Sequence, residues 1–392
     1  MSKHSFTTWM RLPNWPPALW MVVVTLALGL VGGVGAAEMV ELFNAGFGRT
    51  LGEFMLILLP SFILASALER RRVTAASGIA AAVSPLAGAG MICPDTAYAA
   101  LSPAAGARRL DLAFGAYAGF KLLYPAGPLI VATGLGIRDD SLFLYGLVLL
   151  LPVWAVGVLW GRMRSGADRL EPQAPTAAHA VSPRALLTAF GPFLLLALLL
   201  VLGWTFDSSG IVLVDFITQP KGALMAAAAL ALIGVPAPSR RECLDAAVRR
   251  TSSLLLVLGA ASAFGSVLMQ RIMPEALVPA GAGLAGLVGL FALTALFKLA
   301  QGSSMATFAA VTPVAAPMVM AMELPPAAAV FAICAGSFVT ILPNDSFYWL
   351  VRKDALAQDS EPRSLATLAG GALLQAFTGL GLILAAVSVG VG

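Results

Sequence analysis

The polar residues of greatest interest in this sequence interrupt long apolar stretches. Residues 301–304 read Gln-Gly-Ser-Ser, and Thr307 follows one helical turn later. Amide and hydroxyl groups beside a helix start, where free N–H groups and the helix dipole attract anions, are suited to binding a carboxylate. The alternative is that these small residues only let helices pack closely. The candidate ligands of this segment are Gln301, Gly302, Ser303, Ser304 and Thr307.

Asp345 is the first of two candidates for a proton-accepting carboxylate. It follows Pro343 and Asn344 inside the otherwise apolar run 327–351, where a charge costs about 2.5–3.5 kcal/mol on insertion scales. Asn344 can both donate and accept hydrogen bonds, which suits a polyhydroxylated ligand. Because Arg352 lies seven residues further on, an interfacial ion pair between Asp345 and Arg352 is the alternative.

Asp95 is the second candidate carboxylate. It stands between Cys93 and Thr96 in the apolar segment 73–107, so these three residues are candidate ligands as well. Burial would favour the neutral form of such a carboxyl group and make it suited to proton exchange. The alternative is that Asp95 only caps the helix that begins near Thr96.

Two lysines are surrounded by apolar residues and could neutralise a bound anion. Lys298 lies three residues before Gln301, which makes it a substrate-binding candidate. Lys121 lies near the middle of an apolar run and is a possible anion-neutralising group, although a lysine can also extend its amine to the membrane surface.

The composition shows which elements must position these residues. Apolar residues make up 59% of the chain, charged residues only 11%, and the mean hydropathy is +0.88, whereas soluble domains carry roughly 25% charged residues. Apolar runs of about 20 residues are long enough to cross a bilayer as helices. The sequence therefore predicts an all-α polytopic membrane protein.

Metal, cofactor and nucleic-acid sites are not expected. The three cysteines and two histidines are far apart and lack metal-ligand spacing. The net charge of +4 comes from arginine clusters beside apolar runs, where they set orientation in the membrane. The chain also lacks a Walker phosphate-binding loop, which argues against ATP-driven transport.

The arrangement of charges predicts nine crossings, with the N-terminus cytoplasmic and the C-terminus periplasmic in a bacterial inner membrane. Positive clusters such as Arg70–Arg72 and Arg240–Arg250 mark one side, and acidic or weakly charged segments such as Glu38–Glu41 mark the other. The predicted crossings are 15–37, 52–68, 112–136, 141–161, 185–206, 220–236, 251–270, 327–350 and 365–389.

Two apolar segments, 73–107 and 279–320, are predicted to start and finish on the same side as re-entrant helical hairpins. Each is followed by a span interrupted by proline, at Lys121–Pro125 and at Leu342–Asp345. The hairpins open from opposite sides, which predicts two inverted-topology repeats around a midplane transport site. The predicted units are an N-terminal span and external connector (1–50), a first repeat (51–161), a cytoplasmic linker (162–184) and a second repeat (185–392).

These features favour a secondary active transporter for a small organic anion. An uncoupled channel or facilitator is the alternative, because re-entrant half-helices also occur in channels. An intramembrane enzyme is less favoured, because the sequence lacks a convincing catalytic motif such as HExxH.

Four motifs resemble the gluconate permease (GntP) family of the ion transporter superfamily, and the similarity extends over most of the chain from about residue 40. The motifs are Gly46-Phe-Gly-Arg-Thr-Leu-Gly52, Leu258-Gly-Ala-Ala-Ser-Ala-Phe-Gly265, Lys298-Leu-Ala-Gln-Gly-Ser303 and Ala335-Gly-Ser-Phe-Val-Thr-Ile-Leu-Pro-Asn-Asp-Ser-Phe-Tyr-Trp-Leu350. The last two are the specific ones.

The resemblance implies a proton-coupled symporter for gluconate-like sugar acids or small hydroxy acids. It also implies scaffold and mobile transport domains, an elevator mechanism and a homodimer. The family's Ala-Gln-Gly-Ser tip falls on Ala300–Ser303, and its Asn-Asp pair falls on Asn344 and Asp345, with Trp349 as the aromatic neighbour. The chain departs from the family pattern at Lys298, where arginine is expected, at Pro343, and in its Cys-Pro-Asp first tip. No cofactor is expected beyond a coupling proton or sodium ion.

Overall fold

The computed structural model describes residues 17–69, 77–139, 141–165, 183–206, 210–269, 283–321 and 325–390. These residues form α-helices joined by short connections and one 3₁₀ turn, Gly106–Arg108. The helices are α1 Pro17–Val31, α2 Ala36–Glu69, α3 Ser77–Gly90, α4 Pro94–Ala105, α5 Arg109–Leu122, α6 Gly127–Leu135, α7 Leu142–Ser165, α8 Pro183–Thr205, α9 Val212–Thr218, α10 Pro220–Ile233, α11 Ala237–Met269, α12 Gly283–Gln301, α13 Ser304–Ala321, α14 Pro326–Gly336, α15 Ser346–Asp354 and α16 Glu361–Ser388.

Five helical stretches within the described residues are long and apolar enough to cross a membrane, or six if the bent pair α9–α10 counts as one span. This is fewer than the nine predicted crossings, because the apolar stretches of four of those, in α1, α2, α8 and α14, are only 11–14 residues long among the described residues. The predicted span 112–136 is divided between α5 and α6, and 327–350 between α14 and α15. The helices α9 and α10 meet at an angle of 85°. An all-helical polytopic membrane protein is nevertheless what the structure shows.

Two predicted connectors are helical. Helix α2 begins at Ala36, so residues 36–50 continue directly into the next apolar segment, and α1 ends at Val31 instead of residue 37. Likewise α11 begins at Ala237 and includes the arginine-rich segment 239–250. Arginine, alanine and leucine have high helix propensity, so charge alone does not end a helix. Residues 166–182 of the predicted linker lie outside the described residues.

Both predicted hairpins are pairs of helices that pack against each other. The first is α3–α4, and its tip is residues 91–93, where Ile92 has a positive φ of 48° and Pro94 starts α4. The second is α12–α13, and its tip is residues 302–303, where Gly302 has φ of 75°. Residues 73–76 and 279–282 at the predicted hairpin starts lie outside the described part of the chain.

Each hairpin is followed by a broken helix. The first break, residues 123–126, separates α5 from α6, and the second break, residues 337–345, separates α14 from α15. A long apolar helix follows in each case, α7 and α16, and these two pack together. The same order of elements therefore occurs twice along the chain.

Glycines hold the first hairpin close to the first broken helix. A Cβ on Gly119 of α5 would overlap the carbonyl oxygen of Pro85 in α3, and one on Gly88 would lie 2.9 Å from the carbonyl carbon of Ala116. Small residues of this kind let helix backbones approach closely in membrane proteins. The close approach brings the first tip towards the interior of the bundle.

Candidate functional site

The second break contacts the other three interruptions of the helices. Asp345 in the second break accepts from Lys298, in the last turn of α12 just before the second tip. Ser337 in the same break accepts from Lys121, in the last turn of α5 just before the first break. Ser346, which follows the second break, donates to Asp95, just after the first tip. These partners are separated by 47, 216 and 251 positions in the sequence. The candidate site is therefore the junction of two hairpin tips and two broken helices, which we call the junction.

A buried ion pair lies at the centre of the junction. The Lys298 Nζ donates to Asp345 Oδ2 at 2.6 Å and also to the carbonyl oxygen of Gly302. The side chain of Lys298 is fully buried and that of Asp345 is 6% exposed. A buried ion pair is tolerated when further hydrogen bonds satisfy its donors and acceptors, and the Gly302 carbonyl provides one of them. The amine of Lys298 thus ties the second tip to the second break.

Asp345 also caps helix α15. Its Oδ1 accepts from the backbone N–H of Phe347 at 3.1 Å, so both carboxylate oxygens have partners. The alternative of an Asp345–Arg352 pair is wrong, because the carboxylate faces Lys298 and the Arg352 guanidinium lies over the Trp349 ring, 5.6 Å from its centroid.

The backbone of the second break lies directly against the second tip. Asn344 Nδ2 donates to the carbonyl oxygen of Leu299 at 2.9 Å. A Cβ on Gly302 would overlap the carbonyl group of Asn344, with its carbon 2.6 Å away. Only glycine combines this close approach with a positive φ.

Asp95 has neutral partners. Its Oδ1 accepts from the Ser346 hydroxyl at 2.8 Å, and its Oδ2 lies 3.7 Å from the Cys93 thiol. The alternative of a helix cap is wrong, because α4 begins at Pro94 and its N-cap position, Cys93, makes no side-chain cap bond. The half-buried carboxyl group of Asp95 instead links the first tip to α15.

Lys121 is fully buried. Its Nζ donates to the backbone oxygen of Ser337 and to the Ser337 hydroxyl, the latter at 3.1 Å. The amine also lies over the Tyr117 ring, 4.0 Å from its centroid. A lysine that extends to the membrane surface would not show this burial, so Lys121 is part of the junction.

Tyr117 is a central residue that the sequence reasoning missed. Its hydroxyl donates to the carbonyl oxygen of Thr340 at 3.0 Å, and its ring stacks on Phe347 with centroids 5.6 Å apart. The amines of both Lys121 and Lys298 lie within 6 Å of this ring, a distance at which a cation is attracted to an aromatic face. A tyrosine among apolar neighbours carries no local signal of such a position.

One polar face of the junction is accessible. Ser303, Asn344, Ser346 and Trp349 are exposed, and Cys93, Asp95 and Gln301 are half-buried. The remaining candidates are buried: Thr96, Ser304, Thr307, Lys121, Lys298 and Asp345. The Thr307 hydroxyl is occupied within its own helix by the carbonyl oxygen of Ser303 at 2.8 Å. The exposed residues can contact a solute directly, and the buried ones hold them in place.

The fold resembles that of solved transporters. The YdaH transporter of Alcanivorax borkumensis aligns with a TM-score of 0.67 at 18% identity, over 95% of this chain and 97% of that one. MtrF of Neisseria gonorrhoeae, described as one of a class of antimetabolite efflux pumps, aligns with a TM-score of 0.62 at 14% identity, over 95% of each chain. At these identities the similarity shows a shared fold.

Sequence comparison identifies the family. The high-affinity gluconate transporter of Escherichia coli (strain K12) is 24% identical over 378 residues, 85% of this chain and 86% of that protein. The model of the GntP family permeases matches residues 110–389, which include both breaks and the second tip. The chain therefore belongs to the GntP permease family, as a multi-pass membrane transporter and not an enzyme.

Proposed function

We propose that this transporter is a proton-coupled symporter of a gluconate-like sugar acid or another small organic carboxylate, and that the solute binds at the exposed face of the junction. The observation that carries the proposal is the convergence of both tips and both breaks on two buried lysines and two carboxylates. The E. coli relative, a gluconate transporter, supports the solute class.

The exposed face offers the groups that a sugar acid needs. Ser303 and Ser346 supply hydroxyls, Asn344 supplies an amide, and Gln301 lies beside them. Helix α13 begins at Ser304, so its first N–H groups and its positive dipole end are directed towards the tip, where a carboxylate would bind. The exposed ring of Trp349 can cover the apolar face of the sugar carbon chain.

Asp95 is the better candidate for the coupling proton. Asp345 is held by Lys298 and by the first turn of α15, so protonating it would leave a buried lysine without its ionic partner. Asp95 is half-buried and bonds only to a hydroxyl and a thiol among the described residues. Its neutralisation therefore disturbs the junction less.

The charge balance of the junction would couple proton binding at Asp95 to binding of the solute anion. Lys298 is paired with Asp345, whereas Asp95 has only a hydroxyl and a thiol as partners among the described residues. When Asp95 takes up a proton, the junction gains one positive charge, which a solute carboxylate would neutralise. Because an uncompensated charge is costly in a low-dielectric site, binding of the anion and of the proton favour each other.

The remaining architectural proposals follow from the repeated order of elements. The two hairpin-plus-broken-helix units would be inverted repeats, which meet at the midplane in many secondary transporters. An elevator movement, a homodimer, a cytoplasmic N-terminus and a periplasmic C-terminus in a bacterial inner membrane are part of the same proposal.

Uptake into proteoliposomes tests the function. Purified protein is reconstituted, and radiolabelled gluconate and other small carboxylates are supplied with an acidic exterior, with a sodium gradient, or with neither. We expect accumulation only with the pH gradient. Asp95→Asn should retain gluconate exchange but lose pH-driven accumulation, whereas the exposed control Glu38→Gln should behave as wild type.

Two outcomes contradict the proposal. Passive gluconate flux that is indifferent to pH and unchanged in Asp95→Asn would indicate an uncoupled channel or facilitator. Absence of uptake for every carboxylate, with either gradient, would exclude the proposed solute class.

A further inference from the structure

We infer that a second anion site lies between α6 and the α9–α10 bend, and that it receives the carboxylate of the solute before or after the solute occupies the junction. The inference rests on the proposed function for the identity of the solute. The site is a cavity of about 620 Å³, which we call the vestibule. Its lining includes Tyr124, Thr133, Arg138, Asp139, Gln219 and Lys221.

The vestibule has the size and lining of a site for a small polar solute. Its volume falls within the range of about 300–1,000 Å³ typical of ligand pockets. Tyr124, Thr133 and Gln219 place hydroxyl and amide groups in the lining among apolar neighbours, and the Gln219 amide also donates to Asp215 at 3.1 Å. A second cavity, of about 600 Å³, is lined by apolar residues of α7, α14 and α16 and faces their exposed leucines and valines, so it suits acyl chains and not an anion.

Cations outnumber carboxylates among the described residues that line the vestibule. These residues include Arg138 and Lys221 and one carboxylate, Asp139, which accepts from the backbone N–H of Ser141 at 2.9 Å and from its hydroxyl. Helix α10 starts at Pro220, so the free N–H groups of its first turn add to the positive potential. Together these groups favour a carboxylate.

The vestibule also adjoins the junction along the chain. Tyr124 lies in the first break, three residues after Lys121, whose amine is in the junction. The other wall, residues 219–221, belongs to the α9–α10 bend, which follows a different helix, α8. A solute that leaves the vestibule at Tyr124 is therefore beside the first broken helix.

Protection of an introduced cysteine tests the inference without requiring transport. Thr133→Cys places a thiol in the vestibule wall, and an anionic sulfonate thiol reagent labels it in detergent-purified protein. The unsubstituted chain, with half-buried Cys93 and buried Cys243 and Cys334, gives the background labelling. We expect gluconate to slow labelling of Thr133→Cys about two- to fivefold, as expected for one ion pair with the exposed Arg138.

A charge variant decides whether the protection arises in the vestibule. Arg138→Gln in the Thr133→Cys background should abolish protection by gluconate, whereas Arg241→Gln, an exposed arginine on α11, should leave it intact. In uptake assays Arg138→Gln should raise the KM for gluconate by a similar factor and leave the maximal rate unchanged.

Three results would overturn the inference: labelling that gluconate does not slow, protection that persists in Arg138→Gln, or protection by phosphatidylglycerol vesicles but not by gluconate. The last would assign the cavity to a lipid phosphate. Because labelling does not depend on uptake, failure of this test is distinguishable from failure of the proposed function, which the unsubstituted chain reveals by taking up no gluconate.

Discussion

Replacing Gly302 by alanine tests whether the second tip must touch the second break. Two costs are expected. A left-handed conformation costs an L-residue about 1–2 kcal/mol, and Gly302 has φ of 75°. The new Cβ would also overlap the carbonyl oxygen of Asn344 and lie 2.6 Å from its carbon, so that group must move by more than about 1 Å to reach an ordinary contact of about 3.5 Å. Overpacking of this kind costs about 1–3 kcal/mol.

Gly136→Ala is the matched control for the backbone cost. Gly136 has φ of 74°, and its Cβ would meet no atom within 4 Å, so it carries the conformational cost alone. We expect Gly302→Ala to lower the free energy of unfolding by about 2–5 kcal/mol and Gly136→Ala by about 1–2 kcal/mol. Equilibrium unfolding of the purified protein in mixed detergent micelles measures both values.

Transport gives a second test of Gly302→Ala. The displacement of Asn344 would move Asp345 away from Lys298, which donates to it at 2.6 Å. Gluconate uptake in proteoliposomes should therefore be lost in Gly302→Ala even at temperatures where the protein remains folded. If Gly302→Ala and Gly136→Ala are equally stable, and Gly302→Ala still transports, the contact between the second tip and the second break is not required.

Three further predictions concern contacts within and around the junction. Lys298→Met and Asp345→Asn should each destabilise the protein by about 3–5 kcal/mol, because each leaves a buried partner uncompensated. In a double-mutant cycle, the double variant should lose less unfolding free energy than the two single variants lose together. Additive losses would contradict a direct pair. Tyr117→Phe keeps the ring but removes the donor to Thr340, so a loss of about 0.5–1.5 kcal/mol in unfolding free energy is expected; a larger loss of activity at unchanged stability would give the hydroxyl a role beyond support. Gly119→Ala should lower the thermal midpoint by separating α3 from α5; an unchanged midpoint would show that the first hairpin tolerates displacement.

The membrane class and the positions of the helix interruptions follow from local sequence. Low charge and long apolar runs predict membrane helices wherever they occur. Glycine and proline change backbone geometry at the residue itself, and Gly302, Pro94, Pro125 and Pro343 lie at helix ends or in the breaks. Other prolines, such as Pro60, Pro85 and Pro152, lie inside helices, so proline alone does not end a helix. The tips and breaks were nevertheless predicted from the sequence.

Helix extent was less predictable, because a positive-inside pattern reports which side a segment faces and not whether it is helical. The residues 36–50 and 239–250 lie in long helices, although their charge made them look like connectors. The propensity of arginine and alanine for helix competes with the signal from charge, and propensity decided these two cases.

The partners of the charged residues were decided only by tertiary structure. Lys298 and Asp345 were both identified as candidates, but as ligand and proton acceptor, and the structure shows that they bind each other. Tyr117 escaped notice because two of its three neighbours, Lys298 and Phe347, are distant in sequence and only Lys121 lies on the same helix. The local sequence determines the chemistry of each side chain and where helices are interrupted. The cost of burying a charge depends instead on the partner that the fold brings within about 3 Å of it, which only the tertiary structure determines.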